Sequence, residues 1–415
     1  MPSARARLWR RLGLLLSLLA LAGAGLLAWQ RHHAAATPGP ITIGLLQALS
    51  GPVAAHEAPQ VAAARLAVQE INEAGGLLGR RVELKIEDTR ADPRVAAAAA
   101  DRLITADRAV ALFGCGAWGC RQAVLPVVEA RGHLLFHAAA SEGFESSPHI
   151  VYTGPTPNQQ ALPALHWAMQ QFGRRVYVLG TEGMYSRRLA VVLRDFIMLG
   201  GGQVLGERAL AMGAADVGGV LADLARVRPD LVVSSVCGDG NRALFDGLVT
   251  DGLADLPVLS LCASEPEMAA LQGGRLSRHF LAVAYLQSLP DPANQRFLER
   301  LRRSQGAAVG ASDAGVATYA AVHLWAEAVR EVGSERTDAV NATVVHQTFA
   351  APYGFAAVDA QTRHLWRPLR IARVKVDGAL EEVLALPRDV RPEPWPTFRS
   401  TQHWGAVLLR TEARP

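Results

Sequence analysis

The chain predicts an α/β protein of two similar lobes, each built on a parallel sheet with helices on both faces. Three observations carry that expectation. Half of the 415 residues are apolar, enough to bury a sizeable core and more than a single lobe needs. Short apolar or alternating runs of strand length take turns with stretches whose apolar residues recur at helical spacing. The alternation also runs twice, on either side of the segment SEGFESSPHIVYTGPTPNQQ at 141–160.

The first set opens with the apolar run ITIGLL from Ile41, which ends at the breakers Ser50-Gly51-Pro52. From Val61 the apolar positions Val61, Ala64, Val68 and Ile71 predict a helix, closed by Gly75-Gly76 and Gly79. VELKIE from Val82 then alternates as a strand and completes a β-α-β unit. A helix over 94–106, a strand at 110–113, a helix over 121–130 and a strand at 133–137 follow. The second set places strands at 175–180, 203–206, 231–235 and 258–261, with helices at 186–199, 217–227 and 242–251 between them. A further helix is expected over 314–332. Strands reached through helical crossovers lie parallel and are covered on both faces.

Charge narrows the partners. All five basic residues of the first 36 are arginines without an acidic neighbour, so the remainder carries 37 basic against 38 acidic groups. A body so balanced gives no electrostatic case for nucleic acid. The opening residues read as an export device, with arginines ahead of an 18-residue apolar run from Leu12 to Trp29. That length suits both a cleaved signal peptide and a membrane anchor, and both place the body outside the inner membrane. Cys115, Cys120, Cys237 and Cys262 are too few and too dispersed for a disulfide scaffold or a zinc site, and read as small buried apolar residues. An oxidising compartment would permit a bridge between Cys115 and Cys120.

The wording of the interlobe segment, with Glu142-Gly143, Ser147-Pro148, Tyr152, Gly154 and Pro157-Asn158-Gln159, resembles the urea- and short-chain-amide-binding branch of the branched-chain amino acid type of periplasmic binding proteins. AVQEINEAGGLLGRRVELKIEDTRADP from Ala67 resembles the opening of the same proteins, and the likeness runs in order over residues 41 to 396. It implies type I architecture: two Rossmann-like lobes joined by three crossovers. Residues 41–157 and 288–348 would form lobe 1, and 158–287 and 349–396 lobe 2. Residues 397–415 match no element of the family and are expected to be a tail.

Ligands of open parallel sheets bind beyond the carboxyl ends of the strands. The cleft is therefore expected from residues 47–51, 114–119, 137–143, 181–185, 237–241, 262–265 and 285–288. Cys262 and Glu265 are candidates by that topology. The resemblance adds Glu142, in the family wording, and four positions where the branch has pocket walls. Gly116 stands at an aromatic, Trp118 at a serine, Ser141 at a tyrosine and Gly183 at the first of two aromatics, while Tyr185 keeps the second. Trp118 would refill part of the lost volume.

No Gly-x-Ser-x-Gly elbow, His-Glu-x-x-His, Walker loop or dinucleotide fingerprint after a strand occurs. The expectation is thus a non-catalytic protein without cofactor or metal. By resemblance it would bind a urea-like or amide solute and deliver it to the permease of an ATP-driven importer. An anchored ligand sensor serving a signalling partner, and a protein-interaction module with a degenerate pocket, remain open alternatives.

Overall fold

A computed structural model of the chain describes residues 39–116, 119–270, 276, 278–375 and 378–412. The arginine-rich leader and its apolar run lie outside the described residues. Among the described residues no helix is long and apolar enough to cross a membrane.

The first lobe is built on the parallel sheet β2-β1-β3-β4-β5, from strands Ile41–Gln47, Val82–Asp88, Leu112–Gly114, Leu135–His137 and Ile150–Tyr152 in chain order. Both of its faces are apolar, as a covered parallel sheet requires. One face sets Ile43, Leu45, Phe113 and Phe136 against helices α1 (Ala54–Glu73) and α10 (Asp313–Val332). Phe113 stacks on Phe136 at 4.8 Å and meets the fully buried Trp325 edge-on. The other face packs Leu46, Leu112 and Leu135 on α2 (Pro93–Thr105) and α3 (Cys120–Ala130). Local sequence starts these helices: Asp92 caps α2 ahead of Pro93, and the Ser312 hydroxyl accepts from the Gly315 N–H at the start of α10.

The second lobe carries a seven-stranded sheet in the order β15-β14-β10-β9-β8-β6-β7. Its strands are β6 (Arg175–Thr181), β7 (Gln203–Leu210), β8 (Leu231–Ser235), β9 (Val258–Ser260), β10 (His279–Val283), β14 (Arg370–Val374) and β15 (Leu380–Ala385). The five strands from β10 to the edge strand β7 run parallel, and β14 and β15 extend the other edge through antiparallel pairings. Helices α4 (Ala161–Phe172) and α5 (Met184–Leu199) cover one face, and α6 (Gly218–Val227) and α7 (Asp239–Thr250) the other.

The chain passes between the lobes three times: after β5, after β10, and between β13 and β14. The third passage lies further along than expected. Strands β11 (Thr348–Ala351), β12 (Gly354–Val358) and β13 (Leu365–Trp366) form an antiparallel sheet of their own, and its Ala351, Tyr353, Ala356 and Leu365 pack into the first lobe's core. His364, beside β13, bridges to Tyr152 of β5 and stacks on its ring at 4.0 Å. Residues 349–366 thus pack with lobe 1, where the sequence placed them in lobe 2.

The expected tail is also structured. Residues Thr401–Glu412 form helix α12, and Trp404 is fully buried among Phe144, Leu162, Val192 and Phe398. Its indole N–H donates to Pro396 O at 2.7 Å. Trp404 and Leu408 of this short helix both pack into that cluster.

Candidate functional site

Between the lobes, at the carboxyl ends of both parallel sheets, lies a cavity of about 80 Å³. A single water needs ~10–15 Å³ on this measure, so the space suits a small molecule. From the first lobe it is lined by His56, Glu57 and Gln60 of α1, Gly116 after β3 and Ala138 to Ala140 after β4. The second lobe contributes Tyr185 of α5, Cys237 after β8, Cys262 to Glu265 after β9 and Tyr285 after β10, and Ser312 to Ala314 close it at the start of α10.

The α1 wall is acidic and buried. Glu57 is 3% exposed, and its Oε2 accepts from the Ala48 N–H at 2.7 Å. Burial pushes its pKa up to about 7, against the opposing pull of that hydrogen bond and of His56. Gly116 makes room for the carboxyl, since a Cβ at this position would stand 1.9 Å from Glu57 Oε1. Gln60 is 2% exposed, and its Oε1 is buried without a hydrogen-bond donor.

The lobe 2 wall is braced covalently. Cys237 and Cys262 form a disulfide with Cα atoms 5.2 Å apart, tying the loop after β8 to the loop after β9. Cys115 and Cys120 form a second one beneath the first lobe's loop, with Cα atoms 5.3 Å apart. The reading of all four cysteines as plain apolar residues is therefore corrected: the backbone brings both pairs within bridging distance. Glu265 Oε2 accepts from the Gln287 N–H at 2.6 Å, fixing the second crossover, and burial raises its pKa.

Several contacts join the lobes across or beside the cavity, three of them polar and well defined. His56 Nδ1 lies 3.0 Å from Glu267 Oε1, on helix α8 (Glu265–Ala270). Burial opposes the charge on His56, but Glu267 outweighs it and holds the pKa above the usual imidazole value. The Asp239 N–H donates to Pro52 O at 3.1 Å. Only a glycine fits beside that contact, because a Cβ on Gly238 would meet Pro52 O at 2.7 Å. Arg188 of α5 approaches Glu142 of the first lobe at 3.4 Å.

Of the residues singled out by sequence, Gly116, Tyr185, Cys262 and Glu265 come together on the cavity wall. Ser141, Glu142 and Gly183 are not among the lining residues. Glu142 is 1% exposed and serves a buried ion network, accepting from Arg121 Nη2 at 2.9 Å and Gln122 Nε2 at 2.7 Å. Ser141 Oγ accepts from the Gly143 N–H within its own loop. Gly183 precedes α5 as its N-cap. Trp118 lies outside the described residues.

Sequence reasoning missed His56, Glu57, Gln60 and Ser312 to Ala314. The helix expected from Val61 begins seven residues earlier, at Ala54, and continues through Pro59. The acid in its first turn was the available signal, since Glu57 suits a helix N-terminus.

Comparison with known proteins gives a consistent picture. Residues 41–401 match the family model described as Periplasmic binding protein domain. The chain is 25% identical over 325 residues to Leu/Ile/Val-binding protein homolog 3 of Brucella melitensis biotype 1, covering 75% of this chain and 85% of that one. It is 28% identical over 201 residues to Leu/Ile/Val-binding protein BraC3 of Rhizobium johnstonii, and there spans only 53% of the relative. A solute binding protein of an ABC transporter from Rhodopseudomonas palustris BisB5, solved with 3,4-dihydroxy benzoic acid, shares the fold with a TM-score of 0.76 at 20% identity, covering 85% of this chain and 99% of that one. With the family model spanning both lobes, the chain belongs to the periplasmic binding protein domain family.

Proposed function

We propose that this chain delivers a small solute of the urea and amide kind, planar and rich in N–H groups, to the permease of an ATP-driven importer. The observation that carries this reading is the α1 wall. Beside His56, which is paired with Glu267, it presents two buried acceptors to the interlobe cavity, the Glu57 carboxyl and the undonated Gln60 Oε1. Buried acceptors call for donors, and an uncharged amide brings two on each NH2. Tyr185 and Tyr285 supply flat, largely apolar lining for such a molecule.

Binding would draw the lobes together, since the ligand is held by residues of both and favours the closed form. Thermal unfolding of the purified chain with urea, acetamide, formamide, leucine and 3,4-dihydroxybenzoate tests the solute class. A member at about a hundred times its dissociation constant adds about 2.7 kcal/mol of stability. Stabilisation by leucine or the benzoate, with none by any N–H-rich compound, overturns the assignment.

A further inference from the structure

The ionisable groups on the cavity wall are unequally matched. His56 is answered by Glu267 across the cleft, and Asp313 by Arg367, whose Nη2 donates to both carboxyl oxygens at 2.7 Å. Among the described residues neither Glu57 nor Glu265 makes an ion pair, and no lysine or arginine lines the cavity; Glu265 is turned to the Gln287 N–H, whereas His56, which draws on the Glu57 charge, is already engaged by Glu267. A carboxylate taken out of water without a paired cation of its own is costly, and burial raises its pKa in spite of His56 nearby. Beside it, one turn along the same helix face, stands the undonated Gln60 Oε1.

We propose that the cavity is built for a small amidinium or guanidinium cation, with the Glu57 carboxylate as its counter-ion and Gln60 Oε1 as a second acceptor for its planar N–H fork. The inference rests on the reading that an N–H-rich solute enters this cavity, and it names the charge of that solute. A neutral urea or amide would fill the cavity but leave the buried Glu57 carboxylate without a counter-charge. A carboxylate ligand would face Glu57 as a like charge. An amidinium or guanidinium presents donors in one plane, the geometry that carboxylates hold best, and aromatic lining favours a cation further.

The test is calorimetric titration of the purified full-length chain at pH 8 with two isosteric pairs, acetamidine against acetamide and guanidine against urea, alongside acetate and leucine. The cation of each pair is expected to bind at least about tenfold tighter than its neutral partner. Glu57→Gln, which keeps the acceptor for the Ala48 N–H, is expected to bring each pair within about twofold. A neutral member that binds as tightly as its cation, or a cation preference that survives Glu57→Gln, overturns the proposal while leaving the solute class standing. If leucine alone binds, or no member of the series does, both readings fall. The comparison of pairs on the unaltered chain decides the matter even if the variant does not fold.

Discussion

Glu57 holds its place at a cost in stability that depends on pH. Its folded-state pKa, raised by burial to about 7, exceeds the ordinary 4.5, so the folded chain holds this proton more tightly than the unfolded one. Rising pH therefore favours unfolding between those two values, and the contribution lost by pH 8 is about 3 kcal/mol. Glutamine does not titrate and retains the Ala48 hydrogen bond. Glu57→Gln is expected to match the parent near pH 4 and to gain on it by about 3 kcal/mol at pH 8, read from thermal melts. Urea and guanidinium are unsuitable denaturants here, being members of the candidate solute class. A stability difference that does not change with pH would show that the site stays hydrated and the carboxylate is not strained. Gly116 is the complementary choice, a residue whose missing side chain admits the carboxyl.

Among the elements, the third crossover is tied most firmly, through Arg367. This residue is fully buried, donates from Nη1 to Thr153 O in the first crossover, and pairs through Nη2 with Asp313 at the head of α10. Two crossovers and the helix that closes the cavity thus share one guanidinium. Arg367→Met is expected to cost about 3–5 kcal/mol, because it strands the Asp313 carboxylate, and Arg367→Met with Asp313→Asn should recover much of the loss. Equal destabilisation by the single and double variants in thermal melts would refute the shared-charge account. The alternating strands and helices around these crossovers were legible because local periodicity reports covered parallel sheets directly. The sheet β11-β12-β13 was not, since its place is fixed by burial against the first lobe, a long-range fact. Helix α12 was hidden likewise, its attachment depending on Trp404 and Leu408 packing among distant residues. Pro59 masked the start of α1, because a proline reads as the first residue of a helix, and with that start went the acidic wall of the site.

For the molecule as a whole, the relevant equilibrium is between open and closed lobes, and the His56 to Glu267 pair is an ionic contact that spans the cleft at the cavity wall. Glu267 raises the pKa of His56, while burial of Glu267 is outweighed by His56 and Ser264, which hold its own pKa low. Both shifts have the sign of a favourable pair. The attraction is fully present below the ordinary imidazole value of 6.5 and fades as pH rises through the raised one. The ligand-free chain is therefore expected to be more closed at pH 6 than at pH 9 in solution scattering, whereas His56→Ala is expected to be open at both. If closure limits binding, His56→Ala also weakens the solute by about tenfold, the factor expected from losing about 1.4 kcal/mol of bias toward the closed form. Glu57, within the first lobe, titrates over part of the same range, and the variant retains it, so any pH response left in His56→Ala is assigned there. Scattering curves of the parent that coincide at the two pH values, and coincide with those of His56→Ala, would show that closure is governed by the Pro52 to Asp239 backbone contact, the Arg188 to Glu142 pair and the crossovers instead.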